Sequence, residues 1–136
     1  MIEMELNKIV IDEKRHDQLI VLKEKGGARV LPIVIGLSEV LAIRSKISGS
    51  TTPRPLTHDL LFEDISSLNA KVDKILIDKL EDDVFYAKLV LVSESGRISF
   101  IDARPSDSIA VAVRAKAPIF VDESVIAQTD KFDGSK

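Results

Sequence analysis

The chain has no cysteine, no tryptophan and one tyrosine, and its two histidines are the whole supply of imidazole. Without thiols it can form neither a disulfide nor a thiolate metal site, which agrees with a reducing compartment without requiring one. Two imidazoles alone are a poor basis for a tetrahedral zinc centre. Aromatics make up 4% of the residues. That leaves no platform for stacking single-stranded bases, and a core that aliphatic side chains must fill. Positive charge is not in excess either. The net charge of −3 and pI near 5.4 exclude a broad basic surface that grips nucleic acid by counterion release alone. No apolar run is long enough to cross a bilayer. The opening Met1-Ile2-Glu3-Met4-Glu5 is acidic where a secretory signal would be basic. A cytoplasmic protein without membrane contact is therefore expected. Glycine-rich nucleotide loops, a nucleophile elbow and an HExxH zinc motif are all missing, and no organic cofactor is expected.

What is present is the composition of an ordinary globular domain, with 45% hydrophobic and 30% charged residues over 136 positions. A repeat organises it. Lys8-Ile9-Val10-Ile11-Asp12 returns as Lys74-Ile75-Leu76-Ile77-Asp78, an offset of 66. Gly27-Ala28-Arg29-Val30 returns as Ser95-Gly96-Arg97-Ile98, an offset of 68. At that second offset Ser38-Glu39-Val40-Leu41-Ala42-Ile43 faces Ser106-Asp107-Ser108-Ile109-Ala110-Val111. The expected architecture is α+β: two copies of a three-strand-plus-helix unit, about 4–50 and 70–120, forming hairpin-rich sheet with helices packed on it.

β-branched density places strands over 4–12, 19–23 and 29–35, and again over 72–80, 84–92 and 97–103. Glycine-bearing turns at 25–27 and 93–96 close the hairpins. Helices are expected over 38–47, 105–116 and 57–68, the last with Leu60, Leu61, Ile65 and Leu68 on one face. A short apolar piece, Ile119-Phe120-Val121, is followed by another possible helical turn. Residues 1–128 read as one domain, and 129–136 as a polar, frayed tail.

Two arginine-proline steps carry the unusual polar chemistry. Arg54-Pro55-Leu56-Thr57-His58-Asp59 and Asp102-Ala103-Arg104-Pro105-Ser106-Asp107 each stand at an expected helix start. Such positions suit carboxylates or phosphate, because backbone N–H groups and the positive dipole end lie open there. At offset 68 Asp102 replaces Val34, Arg104 replaces Gly36 and Pro105 replaces Leu37, so only the second copy bears these groups.

Structural and functional accounts stand side by side. Pro105 suits the first helical position, Asp107 and Asp59 suit the first turn, and Thr57 suits an N-cap. Asp102 and Arg104 could pair as a clamp, while His16 sits in a charged, exposed turn. In the functional account His58 is a general base, and Asp59 orients it or binds a cation. Asp59, Asp102 and Asp107 hold Mg²⁺ or Mn²⁺, and Arg54 with Arg104 clamps a phosphate. Together His58, Asp59, Asp102 and Asp107 would form the catalytic set of a metal-assisted phosphodiester hydrolase.

At this point the sequence resembles a known family. Leu31-Pro32-Ile33-Val34-Ile35-Gly36 followed by Glu39, then Arg54-Pro55-Leu56-Thr57-His58-Asp59, Phe85-Tyr86-Ala87, Ile101-Asp102-Ala103-Arg104-Pro105-Ser106-Asp107 and Pro118-Ile119-Phe120-Val121 are similar to the motifs of the bifunctional nuclease domain family. They run in the family's order over residues 4–126, with Ser108 standing where alanine is common. The resemblance implies a small α+β domain found in bacteria and plants, action on DNA and RNA in some members, and a homo-oligomer. The resulting expectation is a divalent-metal-dependent nuclease of low sequence specificity. The alternative is a non-catalytic oligomeric binding or regulatory module.

Overall fold

The computed structural model describes residues 1–12, 14 and 17–134, so the expectation for His16 lies outside the described residues. Three strands open the chain: β1 (Ile2–Val10), β2 (Gln18–Glu24) and β3 (Val30–Ile35). Helices α1 (Leu37–Ile47) and α2 (Thr57–Ser67) follow. A second set of strands then runs through β4 (Lys71–Glu81), β5 (Val84–Val92) and β6 (Ile98–Ala103) into α3 (Pro105–Ala115). Strand β7 (Ile119–Val121) and helix α4 (Glu123–Gly134) complete the fold. Helix α4 takes in residues expected to form a polar tail. Asp122 starts it, its carboxylate accepting from the Ser124 backbone and hydroxyl.

Each set of strands is an antiparallel meander, because its connections are too short for anything else. The β4–β5 turn is only Asp82 and Asp83, at φ 52° and 63°, the paired positive values of a type I′ hairpin. Gly26 (φ 74°) and Gly96 (φ 89°) supply the left-handed residue in the β2–β3 and β5–β6 hairpins. Strand β7 joins the meanders, lying antiparallel to β1 and parallel to β4, in one curled sheet ordered β3-β2-β1-β7-β4-β5-β6. The repeated lysines hold matching places. A β-bulge falls just before Lys8 on β1 and another just before Lys74 on β4.

The curled sheet wraps around α3. Its Ile109, Ala110, Val111 and Ala112 are buried, as are the sheet residues Ile20, Leu22, Leu31, Ile33, Ile75 and Ile77. Complete burial of one such aliphatic side chain is worth about 1.5–3 kcal/mol, so this cluster dominates stability. Helix α1 packs along one flank of α3 and α2 along the other, while Val125 and Ile126 anchor α4.

The leucine face expected on α2 is not buried. Ile65 is in the core, but Leu60, Leu61 and Leu68 are exposed. The physical reason is placement: α2 flanks α3 at the margin of the sheet, so only the side facing α3 and β4 meets protein.

Candidate functional site

The N-terminal turns of α1, α2 and α3 meet the end of β6 around a cleft of about 820 Å³. One wall is apolar, made by Leu41, Leu61, Leu89, Leu91 and Ile101, and the rim carries His58, Asp107, Arg104, Glu39 and Asp102.

His58 is the centre of the rim. It is the second residue of α2, which starts at Thr57 as expected, but Leu56 and not Thr57 is the N-cap. Leucine has no acceptor for the helix's free N–H groups. Asp59 instead reaches back, its Oδ2 accepting from the Leu56 N–H at 2.9 Å. His58 turns towards α3, where its Nε2 lies 2.8 Å from Asp107 Oδ1. Asp59, its neighbour in sequence, does not orient it.

Asp107 is held from two sides. Its Oδ2 accepts from Arg104 Nε at 2.9 Å, and Arg104 Nη2 lies 2.8 Å from the same oxygen as an ion pair. Burial pushes the Asp107 carboxyl up, but the His58 and Arg104 hydrogen bonds outweigh it and keep the group below the usual carboxylate range. An ionised carboxylate only accepts, so Nε2 of neutral His58 carries the proton and Nδ1 keeps its lone pair. Arg104, at the N-cap of α3, also donates to Glu39 Oε1 at 3.3 Å. The Asp107 bond and charge, with Glu39 beside them, push its guanidinium above its ordinary value. Arg104 Nη1 has no protein partner among the described residues and is open to a ligand.

The other expected residues are distributed differently. Asp102 lines the same cleft, yet its side chain is 79% exposed and pairs with Lys88 Nζ at 3.7 Å. It is neither buried nor clamped to Arg104. Asp59 and Arg54 line a second cleft on the other side of the α2 start. There Asp59 Oδ1 accepts from Arg114 Nε at 2.7 Å. The Leu56 N–H and this guanidinium hold its carboxyl below the ordinary value. The structure therefore separates Asp59 from Asp102 and Asp107, and Arg54 from Arg104. Among the described residues no three His, Cys, Asp or Glu side chains cluster tightly enough to cage a metal ion.

Two participants were not singled out from sequence beyond a first-turn acid. Glu39 enters through Arg104, a contact spanning 65 residues. Arg114 is buried in α3, donating to the carbonyls of Ala110 at 2.7 Å and Ala42 at 3.2 Å as well as to Asp59. Its signal was present: an arginine four residues after Ala110, on a stripe that is otherwise apolar.

Comparison with known proteins agrees with this arrangement of motifs. A sequence profile described as a bifunctional nuclease domain matches residues 20–133. An uncharacterised protein of Mycobacterium tuberculosis is 39% identical over 126 residues, covering 93% of this chain and 74% of its own length. Bifunctional nuclease 2 of Oryza sativa subsp. japonica is 30% identical over 118 residues, 85% of this chain and 36% of that protein. Bifunctional nuclease 1 of Arabidopsis thaliana is 25% identical over 114 residues, 82% of this chain and 35% of that protein. The plant proteins thus carry the matching region within much longer chains. With its profile match spanning about five-sixths of the sequence, the chain belongs to the bifunctional nuclease domain family.

Proposed function

We propose that this protein hydrolyses phosphodiester bonds in DNA and RNA with low sequence specificity, assisted by Mg²⁺ or Mn²⁺. The observation that carries the proposal is the 2.8 Å contact between His58 Nε2 and an Asp107 carboxylate kept ionised by Arg104. It fixes the tautomer that leaves Nδ1 free to take a proton from an attacking water. The open Nη1 of Arg104 would meet the phosphate as charge develops on its oxygens. The apolar wall of Leu41, Leu61, Leu89, Leu91 and Ile101 can receive bases or sugars by contact alone. Apolar contact reads no donor and acceptor pattern, which supports low sequence specificity.

The acids fit a solvent-rich metal better than a protein cage. Mg²⁺ is commonly held by one or two carboxylates with water and substrate phosphate filling the remaining positions. Asp102, exposed on the cleft rim, is the residue that would hold it, since both Asp107 oxygens are taken by His58 and Arg104. Such a cation supplies charge neutralisation and an activated water. Asp59, saturated by Arg114 and the Leu56 N–H, is left to a structural role.

The test is cleavage of labelled single-stranded RNA and DNA with Mg²⁺, Mn²⁺ or chelator. Wild type is run beside identically purified His58→Ala and Asp102→Asn proteins. Metal-dependent cleavage lost in His58→Ala and weakened in Asp102→Asn is the expected result. Equal cleavage by all three overturns the residue assignment, and none by wild type overturns the activity.

A second proposal, a homo-oligomeric binding module, is favoured by one observation. Strand β6 is a sheet edge whose Ile98 and Phe100 are 57% and 62% exposed. Edges of this kind invite pairing with another chain. Light scattering checks it, and a monomer at high concentration counts against it.

A further inference from the structure

The second cleft, of about 360 Å³, lies between the end of α1 and the start of α2. Its charged lining is Lys46, Arg54, Arg114 and Asp59. Arg114 and Asp59 neutralise each other at 2.7 Å. Lys46 and Arg54 are exposed and take part in no ion pair among the described residues. Lys46 also acts on Asp59 through its charge, yet three cations against one acid leave the concavity positive on a chain whose net charge is −3. The rest of the polar lining is hydroxyl-bearing, from Ser45, Ser50, Thr51 and Thr52.

The connecting loop is braced by its own bonds. Gly49 takes φ +72°, and the Ser50 N–H donates to the Ser45 carbonyl at 3.1 Å. The Ser48 and Ser50 hydroxyls lie 2.8 Å apart. Thr52 Oγ1 donates to the Arg54 carbonyl, so the residue carrying the guanidinium is anchored at its backbone. Little ordering remains to be done when a ligand arrives, which favours binding.

We infer that this cleft is an anion subsite that holds a phosphate of a nucleic-acid backbone beside the His58 cleft, with Arg54 and Lys46 as its charged ligands and the Ser45 and Thr51 hydroxyls as further donors. The choice of nucleic acid rests on the nuclease proposal; the choice of a phosphate-like anion rests on the cleft itself. Arg54 offers a planar fork for two phosphate oxygens, and Lys46 adds a point charge. His58 and Asp59, consecutive on α2, face the two clefts separately. A strand held by Arg54 and Lys46 therefore runs alongside the proposed reaction centre. The acids on the rim of that centre oppose phosphate, so the anchoring charge sits outside it.

The experiment measures binding without cleavage. A short fluorescein-labelled single-stranded oligodeoxynucleotide is titrated in chelator, over a range of salt concentrations, against wild type, Arg54→Ala/Lys46→Ala and Arg54→Lys. A parallel titration with inorganic phosphate is followed by backbone amide shifts. Both side chains are exposed, and melting curves confirm that each variant is folded. The double variant should bind the oligonucleotide at least about tenfold more weakly, with a salt slope shallower by about 0.7, the value for one lost single-strand phosphate contact. Arg54→Lys should keep the wild-type slope. Unchanged affinity and slope in the double variant overturn the inference. Lost phosphate binding with unchanged oligonucleotide binding also overturns it, placing a free anion in the cleft. A wild type that binds as expected yet never cleaves leaves this subsite standing and removes only the nuclease proposal.

Discussion

The two halves of the molecule follow one course and differ in what they leave open. In the first, Leu31, Ile33 and Ile35 of β3 are buried in the core. In the second, β6 is an exposed edge, and the helix after it, α3, is the one sealed inside the sheet. Charge follows the same division, since Val34 and Gly36 correspond to Asp102 and Arg104. Yet the polar network joins the halves. Arg104 bridges Asp107 and Glu39, and Arg114 bridges the carbonyls of Ala110 and Ala42. Each bridge links corresponding positions, 68 residues apart. One half thus supplies the arginines and the other supplies matching acceptors. The lesson is that a site can form along the seam between two runs of similar strand-and-helix order.

The sharpest break in that comparison is at the two acids. Asp107→Asn should lower turnover on the order of 10²- to 10⁴-fold, because His58 loses the partner that sets its tautomer. Glu39→Gln, at the corresponding position, should cost less than about fivefold, because Glu39, although on the rim, bonds Arg104 and not His58. Steady-state kinetics on one RNA substrate separates them. The two basic counterparts come next. Arg114→Ala should destabilise the fold by about 3 kcal/mol, stranding buried carbonyls and the Asp59 carboxylate. Lys46→Ala should stay within about 0.5 kcal/mol, as exposed sites do. Urea denaturation reads both.

Ile33 and Ile101 form another such pair, 2% and 43% exposed. Alanine at Ile33 should cost about 2–4 kcal/mol and at Ile101 under about 1 kcal/mol. Equal losses would mean that β6 is covered in solution.

Smaller effects sharpen the picture. Ser108 is buried with no partner for its hydroxyl among the described residues, whereas its counterpart Val40 is apolar. Ser108→Ala should raise stability by about 1 kcal/mol, read as a higher melting temperature. Asp107 titrates below its ordinary value of 3.8 in the folded state. Its contribution is therefore complete above that pH and is lost as pH falls through the lower folded value. Acid unfolding curves should show this loss shrinking in Asp107→Asn.

Much of the architecture was legible because it rests on local signals. Alternating β-branched residues, glycine turns and acids at helix starts mark the strands, hairpins and first turns within a residue or two. The bulges before Lys8 and Lys74 match the repeat at its stated offset of 66. The leucine face of α2 shows where periodicity misleads, since it announces an apolar stripe without saying what will cover it.

The sequence by itself determined the α+β alternation, the repeated pattern and the family motifs. Only tertiary structure decided which charged groups meet. Successive helical residues point about 100° apart, so His58 and Asp59 enter different clefts despite their adjacency. His58 instead meets Asp107, 49 residues away, because α2 and α3 pack side by side. Local propensity is a property of neighbours along the chain, whereas a site is a property of neighbours in space.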